Sequence, residues 1–211
     1  MTKLYKVLGR NGEPINGGYG KWSLPRGGKP GKWMPSIEGE IIACKNGYHL
    51  CERKDILRWS STQEILIYEA VGRGDCDKQD DKIAFRQAQL KRKIGSLNPK
   101  TLRLFAADCA EHVLHVFEEE HPMDNRPRKA IQAARDYAIG KIDDAARDAA
   151  WAAAWDAAWA AARDAARDAA WAAAWAAARA AARDAARDAA RITESEWQER
   201  RLWEYITGRR K

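Results

Sequence analysis

Trp151-Ala152-Ala153-Ala154-Trp155-Asp156-Ala157-Ala158-Trp159-Ala160-Ala161-Ala162-Arg163 belongs to the most repetitive stretch of the chain. Residues 142–192 hold 29 alanines in 51 positions and neither glycine nor proline. Alanine has the highest helix propensity, and nothing here stops a helix once started. A large residue recurs every four positions: Arg147, Trp151, Trp155, Trp159, Arg163, Arg167, Trp171, Trp175, Arg179, Arg183, Arg187, Arg191. A helix turns about 100° per residue, so a four-residue step drifts the stripe by about 40°. Trp151, Trp155 and Trp159 then share one face, with Trp171 and Trp175 roughly opposite. Asp144–Arg147, Asp164–Arg167, Asp184–Arg187 and Asp188–Arg191 are spaced as helical ion pairs. Either one long helix of about 75 Å forms, at ~1.5 Å per residue, or the rod breaks near residues 163–170 and folds back. The lack of any turn residue favours the long helix. The tryptophans are expected to be packing residues, since exposed they would make sticky patches.

Helical signals continue on both sides. Thr193-Glu194-Ser195-Glu196 reads as a capping box that starts a last helix. Trp197, Arg201, Leu202, Tyr205 and Ile206 give that helix an apolar face, Gly208 closes it, and it is expected to dock on the helical bundle. Upstream, Asn98-Pro99 is a helix start, with asparagine as cap and proline as first residue. Leu102, Phe105, Cys109, Val113, Val116 and Phe117 follow at helical spacing, and Pro122 ends the run. Asp108, Glu111, His112 and His115 cluster on that helix. Their spacing admits a metal or acid–base group, but a salt-bridged surface is the favoured reading. Asp124 or Asn125 caps the next helix, which ends at Gly140.

Residues 1–97 differ in kind. Thirteen of the 15 glycines lie at or before Gly95, and residues 1–95 carry 18 Lys/Arg against 11 Asp/Glu, which accounts for the whole net charge of +7. Leu4–Leu8 reads as a strand. Residues 40–51 read as a hairpin turning at Asn46-Gly47, and Arg53–Trp59 as a short helix. Glu64–Val71 and Lys82–Ile94 read as strands joined by a polar turn over residues 72–81. The chain is therefore expected to be α+β. A small Gly-rich mixed α/β N-terminal domain, 1–97, precedes an Ala-rich all-α domain, 98–211.

Within the N-terminal domain Gly20-Lys21-Trp22 and Gly31-Lys32-Trp33 repeat one combination. Glycine admits close backbone approach, lysine attracts an anion, and tryptophan offers a stacking face. With His49 and Arg53, the residues Lys21, Trp22, Lys32 and Trp33 form the candidate ligand site, expected to line one cleft. The Gly-Lys-Trp pattern is not a phosphate-binding P-loop, because no Ser or Thr follows the lysine. Plugging of the sheet by the two tryptophans is the competing reading. Cys44, His49 and Cys51 lack the spacing of a zinc finger, so neither metal nor cofactor is expected. No catalytic constellation assembles, and an enzyme acting on a nucleotide has only His49, Arg53 and the two loops behind it.

Two segments also carry a resemblance. Leu104-Phe105-Ala106-Ala107-Asp108-Cys109-Ala110-Glu111-His112-Val113-Leu114, then His121-Pro122-Met123-Asp124-Asn125-Arg126-Pro127-Arg128-Lys129-Ala130-Ile131, then the alanine tract, resemble the immunity-protein family of bacterial polymorphic toxin systems. Gly47-Tyr48-His49-Leu50-Cys51 resembles an uncharacterised phage or prophage domain. The resemblance implies a conflict-system role, binding and neutralising a toxin or a defence component. With a helical scaffold and no catalytic constellation, the chain is expected to be a non-enzymatic binding protein that does this or sequesters a small anionic ligand. Two alternatives come from the residues. One is nucleic-acid binding through the basic N-terminal domain; the other is a structural homo-oligomer built on the alanine helix. With no long apolar run, no membrane is involved. Four cysteines without an export signal point to the cytoplasm.

Overall fold

The structure, a computed structural model, describes residues 2–60, 63–154 and 177–210. It is α+β: a four-stranded antiparallel sheet lies in the N-terminal half, and the helices lie mainly in the C-terminal half. The strands are β1 (Leu4–Leu8), β2 (Tyr48–Leu50), β3 (Ile65–Lys78) and β4 (Ile83–Leu97), ordered β1-β3-β4-β2. A 3-10 helix, Arg53–Trp59, follows β2. The α-helices are α1 (Pro99–Glu120), α2 (Arg126–Ala138), α3 (residues 144–154) and α4 (Ala177–Ile206). The chain divides into two compact units, Met1–Pro99 with Leu202–Lys211, and Lys100–Arg201.

In the sheet unit, strand alternation sorts the side chains. Leu4, Lys6 and Leu8 of β1 pair with Ala70, Tyr68 and Leu66 of β3. Leu8, Leu66, Tyr68, Ala70, Ala88 and Leu90 then form one core with Leu50 and Trp22. Trp22 is only 6% exposed and meets Tyr48 edge-on, with ring centres 5.5 Å apart. The Gly-rich stretch thus covers this face of the sheet. Residues 31–37 of it run beside β4: the Gly31, Met34 and Ile37 amides donate to the Leu90, Ala88 and Arg86 carbonyls.

Two strand expectations need correction. The long turn over 72–81 is absent. β3 runs on to Lys78 and closes tightly on β4, the Gln79 amide donating to the Lys82 carbonyl at 2.9 Å. The glycines taken as turn residues instead let the ladder continue. A Cβ at Gly72 would collide with the Phe85 ring, and the ladder shifts register between Arg73 and Cys76. The hairpin at Asn46-Gly47 is also replaced. Ile42 bridges Asn46 around a turn in which Cys44 takes φ 67°, while β2 pairs with β4. Gly47 serves close approach instead, since a Cβ there would sit 2.8 Å from that of Ala84.

The opposite face of the sheet receives the C-terminal end of α4. Trp203 meets Tyr5 edge-on at 5.3 Å, and the Arg53 guanidinium lies 4.5 Å from the Trp203 ring centre. A Cβ at Gly95 would strike the Ile206 carbonyl. Residues 202–206 therefore pack on the sheet, not on the helices that their apolar face predicts.

In the helical unit, α1 begins at Pro99 and α2 is followed by Gly140 at φ 75°, as the signals implied. Asp124 accepts from the Arg126 amide at 3.0 Å and also holds the Arg126 guanidinium. The capping box fails as a start: α4 passes through Thr193 without a break, and Glu194 turns to His112 and Gln198 instead. The Asp144–Arg147 pair forms at 3.0 Å. Trp151 is 64% exposed, against the packing expectation. The other four tryptophans of the tract, the Asp164–Arg167 pair, the side chains of the two later pairs and the choice between one helix and two lie outside the described residues.

Candidate functional site

The sheet unit holds a cleft of about 390 Å³, walled by β1, β2, the 42–46 turn and the loop around Gly17. Its floor carries Lys6, whose strand position aims it at the loop-covered face. The Lys6 ammonium donates to the His49 carbonyl at 3.0 Å and sits 5.1 Å from the Trp22 ring centre. Burial pushes its pKa down from 10.5 to about 8, because a desolvated ammonium loses its proton more easily. His49 is also lowered, first by burial and then by the charges of Lys6 and Lys82. Its Nε2 accepts the Cys44 amide at 2.8 Å. A backbone N–H needs a lone pair to donate to, so the neutral ring carries its proton on Nδ1. That bond braces the turn where Cys44 adopts positive φ, and it occupies the nitrogen a metal would need. Among the described residues no group of three or more potential ligands gathers for a metal. Burial pushes the Cys51 thiol up to about 12, which favours its protonated form. At the cleft edge Lys82 pairs with Asp81 at 3.0 Å and lies 4.9 Å from the Trp59 ring centre; hydrogen bonding to Asp81 holds its pKa up.

Of the six residues expected to form one ligand site, only His49 lines this cleft. Trp22 is core, with Lys6 against its ring. Trp33 is covered by the Arg73 guanidinium at 4.0 Å. Lys21 and Lys32 are exposed, the Lys32 amide donating to Ser23 Oγ at 2.8 Å. Arg53 is taken by Trp203. The two Gly-Lys-Trp loops therefore do not converge on His49, because each tryptophan is consumed by packing. The cleft residues that sequence reading missed are Lys6, Tyr19, Lys45, Trp59 and Lys82. One signal was available: Lys6 interrupts the apolar alternation Leu4–Lys6–Leu8.

The helical unit has a second polar centre. Asp108, only 4% exposed, accepts from Arg135 at 2.8 Å and lies 3.6 Å from the Arg201 guanidinium. Arg135 also clasps Glu111 at 2.7 Å. His112 pairs with Glu194 at 2.7 Å and stacks on Trp197 at 3.8 Å between ring centres. Asp108, Glu111 and His112 are thus ion-paired, as favoured, but with partners on other helices rather than one turn away and with Asp108 buried rather than at the surface; His115 turns to the His112 carbonyl at 3.1 Å. These links tie α1 to α2 and α4 and leave Val113 and Val116 of α1 exposed, with Met123 beyond it 94% exposed. No described helix is long and apolar enough to cross a membrane.

Neither a curated protein nor a solved structure matches the chain. The expected likeness of the N-terminal half to a phage domain finds no support. A family model does match, over residues 92–201, more than half of the chain and nearly coincident with the helical unit. The chain belongs to the family described as Imm-5 like putative immunity protein.

Proposed function

We propose that the chain is a non-enzymatic binding protein that neutralises a protein toxin through its helical unit. The observation behind this reading is the coincidence of the family match, residues 92–201, with the unit Lys100–Arg201. An immunity protein works by occupying its partner, which calls for a rigid exposed surface rather than a reactive centre. The buried Asp108–Arg135 pair supplies rigidity. Val113, Val116 and Met123 supply apolar contact area between charged neighbours, the mixture common at protein interfaces. A defence component in place of a toxin would engage the same surface. Nothing in the comparisons supports nucleic-acid binding or self-assembly.

Co-expression with any toxin gene that the native locus carries tests the reading. Growth is expected to be restored, and the two proteins should co-elute as one complex. The pair Val116→Glu with Met123→Glu should abolish both effects without lowering the melting temperature. A toxin that kills regardless and never co-elutes sinks the proposal.

A further inference from the structure

The cleft in the sheet unit lies outside the family match and has no role in toxin binding as proposed above. Its electrostatics are one-sided. Lys6, Lys45 and Lys82 line it, and no Asp or Glu does among the described residues. Lys82 already has Asp81 as counter-ion. Among the described residues Lys6 faces a carbonyl and an indole face, and none sets a carboxylate against its part-buried ammonium. Burying a charge without a partner is costly, and a bound anion would offset that cost. Lys45 stands at the rim, exposed to solvent.

The walls add a second chemical feature. Tyr19 is fully exposed although it lines the cleft, so its ring serves no packing role in the described fold. Trp59 lines it as well, and the loop carrying Tyr19 runs through Gly17, where a Cβ would meet nothing within 4 Å. An aromatic ring free to close over an occupant is a stacking platform. The volume of about 390 Å³ falls within the range of small-molecule sites.

We propose that this cleft binds a small anion that carries a planar ring, of the class of a 5′-mononucleotide. The phosphate meets Lys6 and Lys45, and the base stacks on Tyr19. Charge alone would accept any phosphate; the aromatic wall selects a ring.

The test is calorimetric titration of the full chain with the four ribonucleoside 5′-monophosphates, the four nucleosides and ribose 5-phosphate. Lys45→Gln and Tyr19→Ala alter exposed side chains and should leave the melting temperature unchanged. At least one mononucleotide should bind saturably. Lys45→Gln and Tyr19→Ala should each weaken it about tenfold, a difference of ~1.4 kcal/mol. Lys32→Gln, in the loop that stays clear of the cleft, should leave binding unchanged. The proposal fails if no mononucleotide saturates at millimolar concentration or if ribose 5-phosphate binds as tightly as the best nucleotide. It also fails if Lys32→Gln weakens binding as much as Lys45→Gln, which would mean a diffuse basic surface.

Discussion

At the scale of single residues, burial decides which charges matter. Lys6 is the only basic side chain of β1, and the native fold holds its pKa near 8 against 10.5 in the open chain. Between those values the unfolded chain keeps a proton that the native chain has released. Stability contributed by this group therefore rises with pH through that window, and its full cost is present below pH 8. Lys6→Met removes the cost. Its stability relative to the native chain should fall by about 3 kcal/mol as pH rises from 7 to 10.5, measured by urea denaturation. A flat difference would show that Lys6 is solvated. Asp108 illustrates the opposite case, a buried charge with partners. Asp108→Ala leaves Arg135 and Arg201 uncompensated at that point and should cost about 3 kcal/mol. Glu111→Gln, which alters a more exposed partner of the same arginine, should cost less than about 1 kcal/mol. Equal losses would contradict the burial argument. Lys6 could be singled out from sequence as a polar interruption in a strand. The burial of Asp108 could not, because its partners lie 27 and 93 positions away.

At the scale of elements, local signals were reliable where backbone hydrogen bonding forced them. Asn98-Pro99 starts α1 because proline has no amide to lose, and Gly140 follows α2 because it reaches positive φ without strain. Thr193-Glu194-Ser195-Glu196 misled because a capping box tells only where a helix can begin. With no glycine or proline between Gly140 and Thr193, nothing stops the helix, which is already running when it arrives there. Ser195→Pro separates the two cases. In an uninterrupted helix, proline at this position costs about 3 kcal/mol; in the first turn of a new helix it would be tolerated. A clear loss of ellipticity and of melting temperature is expected. The Asn46-Gly47 pair misled differently, because glycine was required there by the neighbouring Ala84 rather than by a turn.

At the scale of the whole molecule, each unit has its own logic. In the sheet unit, the last turn of α4 comes against β4 so closely that Gly95 has no room for a side chain. Gly95→Ala should cost about 1–3 kcal/mol by forcing the backbones apart. The near-ultraviolet signal of Trp203, packed on Tyr5, should change with it. A variant as stable as the native chain would mean that the contact is looser than described. In the helical unit the corresponding constraint is the polar centre at Asp108, which a change at Gly95 should leave intact.

Composition and periodicity by themselves determined the class: glycine and alternating apolar residues before Gly95, alanine and four-residue spacing after it, hence a sheet followed by helices. These are local preferences, settled by backbone geometry within a few residues. Only the tertiary structure decided which side chains meet. It took Trp22 and Trp33 for packing, set Lys6 beneath His49, brought Asp108 to Arg135 and laid residues 202–206 on the sheet. Such contacts arise from the competition of all apolar and charged groups for limited interior space. Residue spacing along the chain carries no record of that competition.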